Sequence, residues 1–306
     1  MGGDDRHEHD RGLGYDMAVM SRRRALFFLG AAGTAAVAAG CASGDDIAAT
    51  TGGTTTGGTT TGGTTTGGAT STSAGAVAAA PQETAGPYPG DGTNGPNVLV
   101  QSGVLRSDIT RSFGGATGVA EGVPMTLSLS LRDLANGGAA GTGMAVYVWH
   151  CDRDGEYSLY GANVTGENYL RGVQVADDSG TVTFTSIFPA CYSGRWPHIH
   201  FEVYDSPASA LSGENARLTS QIALPQQSCE QVFAHDSGYA RSVTNLSRVS
   251  LDSDNVFGDG WDAELATVTG SPADRMLVSL TIGVAERAQN TPRNPMAPGG
   301  APPRGR

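Results

Sequence analysis

The sequence contains no lysine: all 19 basic residues are arginines, and against 30 acidic residues they leave a net charge of −11. Such a chain offers no broad basic surface, which argues against nucleic acid as a partner. Histidine and cysteine are scarce too, with six and four residues among 306. A long uninterrupted apolar run is also missing, because glycine and alanine interrupt the one that begins at Ala25. That run therefore does not predict a membrane span.

Residues 1–41 carry the pattern of a targeting segment. The stretch "SRRRALFFLGAAGTAAVAAGC" has an arginine pair, Arg22 and Arg23, before the apolar run and ends in small residues at Cys41. This pattern predicts a twin-arginine export signal, a route that carries proteins already folded and suits one that loads a metal before crossing. The "AAGC" ending resembles a lipoprotein cleavage site and predicts a lipid anchor on Cys41, on the outer face of the cytoplasmic membrane. The alternative is cleavage near Ala42, which releases the protein without that cysteine.

The remaining chain divides by composition. Residues 42–80 include a threonine and glycine repeat over 49–76, which cannot bury a core and predicts a disordered, extended tether. The proline- and glycine-rich residues 291–306 predict a disordered tail. Residues 81–290 are left as one globular domain, long enough to bury a core.

Period-two alternation of apolar and polar residues dominates that domain and predicts strands. The predicted strands are 125–131, 144–150, 181–187, 198–204, 220–224 and 276–284. One short helix is predicted over 226–234, after Pro225. These elements predict an all-β sandwich of mostly antiparallel strands.

Three cysteines lie in the domain: Cys151, Cys191 and Cys229. An exported protein occupies a compartment where disulfides persist, so one pair and one odd thiol are expected. The favoured pair is Cys191–Cys229, with Cys151–Cys191 as the next choice. The remaining alternative is that none is bonded.

The stretch "CYSGRWPHIHF" at 191–201 carries the most chemical information. His198 and His200 alternate on one predicted strand and therefore share a face, where they form either a pair of metal ligands or a hydrogen-bonding pair. Tyr192 precedes them in a turn, and Tyr157 follows another strand. A phenolate is a hard oxygen donor that suits Fe(III) better than Zn(II), so two tyrosines and two histidines predict non-haem ferric iron. Arg195 would place a fixed positive charge beside it.

At these motifs the sequence resembles the intradiol ring-cleavage dioxygenases. The resemblance rests on "DRDGEYSLY", "YLRGVQVADDSGTVTFTSIFPACY" and "GRWPHIHFEV", with "ETAGPYPG" (83–90) similar to the segment over the family's substrate pocket. It covers roughly 81–285 and is nearer to the exported, single-chain branch. The short spacing from Tyr192 to His198 departs from the protocatechuate enzymes and leaves the choice of substrate open.

The resemblance implies a role for each site residue. Tyr157, Tyr192, His198 and His200 would be the iron ligands, with Tyr192 the tyrosine that leaves the metal when substrate binds. It also implies that Arg195 stabilises negative charge on the bound substrate ring. Pocket-lining positions would be held by Tyr88 and Gln174.

The function expected on this basis is Fe(III)-dependent cleavage of a catechol-type aromatic diol by O₂, giving a cis,cis-muconate-type product. The alternative is a cell-envelope binding module that keeps the fold without turnover. A third interpretation, a copper or zinc hydrolase, uses the histidine pair alone. The sequence leaves open whether the protein is a monomer or a homodimer.

Overall fold

A computed structural model describes residues 77–287 of the chain. The predicted export signal (1–41) and tail (291–306) lie outside the described residues, as does all of the predicted linker (42–80) but its last four positions. The export, the lipid anchor and the domain limits 81–290 therefore stay predictions. None of the helices in 77–287 is long and apolar enough to cross a bilayer.

The domain is built mainly from strands, as the alternating pattern predicts. In β1 every second side chain is buried, because Met125, Leu127, Leu129 and Leu131 all face the core. The strands of the described chain are β1 Pro124–Asp133, β2 Ala139–Ala140, β3 Ala145–Trp149, β4 Arg171–Val175, β5 Thr181–Ile187, β6 His198–Tyr204, β7 Leu218–Ala223, β8 Thr267–Ser271 and β9 Arg275–Val284.

These strands form two sheets, which confirms the predicted sandwich. In the first, β9 lies between β8 and β1, and β1 pairs with both β2 and β5; all of its pairs are antiparallel except β1 with β9. The second sheet is antiparallel throughout, in the order β4-β3-β6-β7. Strands β3, β6 and β7 are buried on both faces, because one face packs in the core and loops cover the other.

Helices are more numerous than the sequence predicts. The predicted helix is present as α2 Gln226–His235. Within residues 77–287, α1 Pro207–Ser212 and α3 Ala240–Leu246 also form, with three short 3₁₀ turns at Leu134–Asn136, Ser237–Tyr239 and Phe257–Asp259. Both missed helices are six or seven residues long, too short to show a helical period in the sequence.

The expected disulfide Cys191–Cys229 is wrong, and so is its alternative Cys151–Cys191. All three cysteines are free and buried. Each sulfur lies near a backbone carbonyl: that of Cys151 faces Ala190, that of Cys191 faces Arg195 and that of Cys229 faces Leu224. Burial raises the pKa of all three thiols, so they pack as small apolar groups.

Candidate metal centre

Strand β6 places both histidines on the outer face of the second sheet. His200 lies opposite Trp149 of β3 on one side and Gln221 of β7 on the other, and Trp149 lies opposite Arg171 of β4. These four residues form one row across the four strands, with all their side chains on the same face. The Trp149 ring stacks on the His200 ring at 5.0 Å and 6°, which fixes the plane of that imidazole.

Tyr157 reaches the same face from the loop between β3 and β4. The loop is held by Asp152, whose carboxylate accepts hydrogen bonds from the backbone N–H of Asp154 (3.0 Å) and Glu156 (2.9 Å) and from the Tyr169 hydroxyl (3.0 Å). Two residues after Tyr157, Leu159 has a positive φ of 72°. That conformation is costly for a leucine, and the surrounding contacts hold it.

Tyr192 is placed by a helix that the sequence does not predict. On α3, Asn245 donates to the carbonyl of Cys191 at 2.9 Å, and the Ser242 hydroxyl accepts from the Cys191 N–H at 3.0 Å. The turn that follows contains Gly194, whose φ of 83° favours glycine. It directs the chain back into β6 within five residues.

The four predicted ligands converge. Their donor atoms form a chain of short separations: Tyr192 Oη to His198 Nε2 is 3.3 Å, His198 Nε2 to His200 Nε2 is 3.1 Å, and Tyr157 Oη lies 3.3 Å and 3.2 Å from those two nitrogens. All four side chains are at most 5% exposed. The cluster is therefore compact and closed to solvent.

The protonation of this cluster is constrained by its surroundings. His198 Nδ1 faces the carbonyl oxygen of Trp196, which can only accept, so Nδ1 carries the proton and Nε2 presents its lone pair to the centre. Burial and the nearby Arg195 hold the pKa of His198 well below its usual value, and burial and His198 do the same for the pKa of His200. Burial, then Tyr192, raises the pKa of Tyr157 well above its usual value. These pKa directions favour the neutral form of both imidazoles, and Tyr157 would lose its proton only with a cation beside it.

Arg195 is the fifth member of the cluster, held by two residues that sequence reasoning missed. Its Nε donates to the fully buried carboxylate of Asp254 at 3.0 Å, and its Nη2 donates to the amide oxygen of Gln221 at 2.7 Å. Its Nη1 lies 3.5 Å from His198 Nε2, on the side of the centre. Burial is the largest single influence and would lower the pKa of Arg195, but the charge and hydrogen bond of Asp254, with Tyr192 and Tyr157, together outweigh it and raise the pKa above its usual value. The guanidinium is therefore a permanent positive charge at the centre.

The two predicted pocket residues are placed differently. Tyr88 lies beside the cluster, with its ring 5.1 Å from the ring of Tyr157. Gln174 does not reach it: it pairs with Val146 of β3, which pairs with Val203 of β6, so its side chain points to the opposite face from His198 and His200. Gln221 supplies the amide at the centre instead. The sequence placed Gln221 in the predicted strand "SQIAL", but it did not show that this strand pairs with the strand that carries the histidines.

The donor set fits a hard trivalent ion. An ion bonded to nitrogen and oxygen at about 2.0–2.2 Å holds adjacent ligands about 3 Å apart, which matches the separations in the cluster. Within the described residues the buried Nδ1 of His200 has no hydrogen-bond partner, so the polar contacts of this imidazole are those of Nε2, the nitrogen that faces the cluster. Within residues 77–287 no group of three or more histidine, cysteine, aspartate or glutamate side chains could bind a metal, so any metal here depends on the tyrosines.

No protein-family model matches the chain, whereas solved structures do. An intradiol ring-cleavage dioxygenase from Tetranychus urticae is 22% identical, with 72% of this chain and 96% of that one covered at a TM-score of 0.53. A second dioxygenase structure is also 22% identical, with 72% and 97% of the two chains covered at a TM-score of 0.52. At this identity the likeness concerns the fold. The described domain therefore has the fold of the intradiol ring-cleavage dioxygenases.

Proposed function

We propose that the protein is an Fe(III)-dependent intradiol dioxygenase that cleaves a catechol-type aromatic diol with O₂ to a cis,cis-muconate-type product. The observation that carries the proposal is the convergence of Tyr157, Tyr192, His198 and His200, with donor atoms 3.1–3.3 Å apart in a buried cluster beside Arg195. Two phenols and two neutral imidazoles favour ferric iron over zinc or copper. The similar structures of known dioxygenases support the same reaction class.

Ferric iron, when bound, would supply a Lewis-acidic and redox-active centre that binds both oxygens of a catechol and makes the ring reactive towards O₂. The protein supplies the environment. His198 and His200 present unprotonated nitrogens, and the ring of Tyr157 packs edge-on against the ring of His200 at 6.0 Å. Tyr192 lies in the turn before β6, next to the residue that α3 holds, and we assign to it the role that the resemblance implies, in which its phenol would accept a proton from the incoming diol.

Arg195 would act on the substrate through its charge. Since Asp254 and Gln221 hold Nε and Nη2, the Nη1 group faces the reacting region without competing bonds to those residues. A fixed cation in a water-excluded site stabilises negative charge on the substrate ring by a few kcal/mol without reorganising.

The proposal is tested by oxygen uptake with iron-replete protein against catechol, protocatechuate, chlorinated catechols and hydroxyquinol. We expect stoichiometric O₂ consumption with at least one diol, a muconate-type absorbance, and a wine-red colour from tyrosinate-to-iron charge transfer. A colourless preparation that cannot be reconstituted with iron would support the non-catalytic binding module instead. Zinc or copper in place of iron would support the hydrolase.

Replacing Tyr157 with phenylalanine should abolish the colour and the retention of iron together, because one of four donor atoms is lost from the centre. The matched control is Tyr204→Phe, which removes a buried hydroxyl from the far end of β6, where it donates to Glu202. The measurements are metal content and the visible spectrum of both variants. Full iron and colour in Tyr157→Phe would remove Tyr157 from the ligand set.

A further inference from the structure

Residues 83–90 form a strap that follows the row of site residues across the second sheet. At one end the Gln221 amide donates to the carbonyl of Thr84 at 2.9 Å, and in the middle Gly86 lies directly on the imidazole of His200. A Cβ on Gly86 would lie 3.1 Å from His200 Cε1, and its φ of 68° also favours glycine. The strap is therefore the layer that closes the candidate metal centre to solvent.

The other end of the strap lies on Arg171, which is 1% exposed. All five hydrogen bonds of its guanidinium go to neutral oxygens. They are donated to Tyr88 O (2.9 Å), Pro89 O (2.9 Å), Ser158 O (2.9 Å), Ser158 Oγ (3.0 Å) and Tyr147 Oη (3.2 Å). Three of these acceptors are backbone carbonyls, and they belong to two separate segments: the strap and the loop that carries Tyr157.

Arginine suits this place because its rigid planar group presents five N–H donors, whereas lysine presents three on a single nitrogen. The strap passes close to the Arg171 guanidinium at Gly90. Its φ is 68°, and a Cβ there would lie 2.8 Å from Arg171 Nη1, so only glycine allows so close an approach. The Gly90 N–H in turn donates to the Tyr160 hydroxyl at 3.0 Å.

We propose that Arg171 is a positioning residue that fastens the strap and the Tyr157 loop to strand β4 as one unit. The Tyr88 ring lies 5.1 Å from the Tyr157 ring, and Ser158 is the next residue after Tyr157. Opening the strap for substrate must break the bonds from Arg171 to Tyr88 and Pro89, while those to Ser158 hold the ligand loop in place. Arg171 thereby sets the stability of the closed strap and the position of Tyr157. The inference rests on the proposed function in that it concerns the covering of the same site.

Hydrogen exchange measured by mass spectrometry on the full-length protein tests this directly. In Arg171→Gln we expect peptides covering 83–90 and 155–161 to exchange at least tenfold faster than in the wild type. The matched control is Arg217→Gln, because Arg217 also donates to backbone carbonyls, those of Ala285 and Val284, at the opposite end of the sheet. Exchange of both peptides within twofold of the wild type in Arg171→Gln overturns the proposal.

A second variant decides the matter if Arg171→Gln does not fold. Tyr147→Phe is conservative and removes the hydroxyl that donates to Pro89 O at 2.7 Å and accepts from Arg171. We expect it to speed exchange of the 83–90 peptide about threefold and leave 155–161 unchanged. No change in the 83–90 peptide would overturn the proposal.

Kinetics separate this inference from the proposed function. In Arg171→Lys we expect KM for the diol to rise about tenfold, a larger factor than the fall in kcat, since the loosened strap weakens binding while the four donor side chains themselves are unchanged. If the wild type consumes no O₂ with any diol but the exchange pattern holds, the proposed function fails and the role of Arg171 stands. If the wild type is active and exchange is unaffected, only the role of Arg171 fails.

Discussion

At the scale of single residues, Arg195 shows how a buried positive charge is stabilised by a buried partner. Its partner Asp254 is fully buried and also accepts hydrogen bonds from the backbone N–H of Trp196 (2.7 Å) and Val256 (2.9 Å). The carboxylate is thus satisfied on both oxygens, and the ion pair is anchored to the turn before β6. Asp254 therefore holds the Arg195 guanidinium in position and balances its charge before any substrate binds.

Arg195→Ala should leave iron and colour in place but lower kcat by on the order of 10²–10³, which corresponds to a few kcal/mol of lost electrostatic stabilisation. The same change leaves Asp254 buried without its partner and should lower the free energy of unfolding by about 3–5 kcal/mol. Oxygen uptake, metal content and urea unfolding measure the three effects. Normal turnover in a folded, iron-loaded variant would contradict the role given to Arg195.

His150 is a buried histidine directly after β3, and both of its ring nitrogens lie near protein oxygens. Its Nδ1 lies 2.8 Å from the carbonyl of Cys151, and its Nε2 lies 2.8 Å from the hydroxyl of Ser186 on β5. Burial lowers the pKa of His150 to about 4. The folded protein therefore binds fewer protons than the unfolded chain between that value and the ordinary pKa of about 6.5.

As the pH falls through this window, His150 lowers the free energy of unfolding, because the unfolded chain binds a proton that the folded protein does not. His150→Gln should remove about 3 kcal/mol of acid destabilisation between pH 6.5 and 4. Asp152, whose pKa burial raises to about 6, acts in the opposite direction, so the comparison is between variant and wild type at each pH. The measurement is urea unfolding over that range. Parallel pH profiles for the two proteins would show that His150 does not titrate on unfolding.

At the scale of elements, β6 separates chemistry from packing by alternation. His198 and His200 face the candidate metal centre, while Ile199, which is fully buried, faces the core between the sheets. Ile199→Ala should lower the free energy of unfolding by about 2–5 kcal/mol and leave the iron content unchanged. Thermal or urea unfolding and metal analysis test both parts. Loss of iron from a folded Ile199→Ala protein would show that the two faces are not independent.

Strand β4 gives a companion test, because Gln174 shares the face of Ile199 rather than that of the histidines. Gln174→Ala should leave KM, kcat and iron content within twofold of the wild type. A large rise in KM would place Gln174 at the pocket after all.

At the scale of the whole molecule, the domain is held by packing without disulfides among its described cysteines. In native protein, the thiols of Cys151, Cys191 and Cys229 should not react with a thiol reagent, since all three are at most 1% exposed. After unfolding in denaturant all three should react, and reductant should not change the melting temperature. A lower thiol count after unfolding would indicate a disulfide.

Much of this protein follows from its local sequence. Alternation is a property of neighbouring residues, so it predicted six strands close to their observed bounds and put His198 and His200 on one face. The chemistry of two phenols and two imidazoles led to the proposal of ferric iron, and the motifs around them predicted the fold that the structure shows. Strands β2, β4 and β8 were missed: β2 has only two residues, and neither β4 nor β8 shows both strict alternation and clear turn signals at its ends.

Other features depend on contacts between residues far apart in the chain, and only the tertiary structure determined them. Asp254 and Gln221 reach Arg195 across 59 and 26 residues, and Arg171 reaches the strap across more than 80. The same holds for Gln174, whose face was set by its register with β3, and for the three cysteines, which are buried as free thiols. Local patterns determine which side chains of a strand share a face. Sheet order and loop paths determine what that face contacts, and they depend on interactions between residues far apart in the chain.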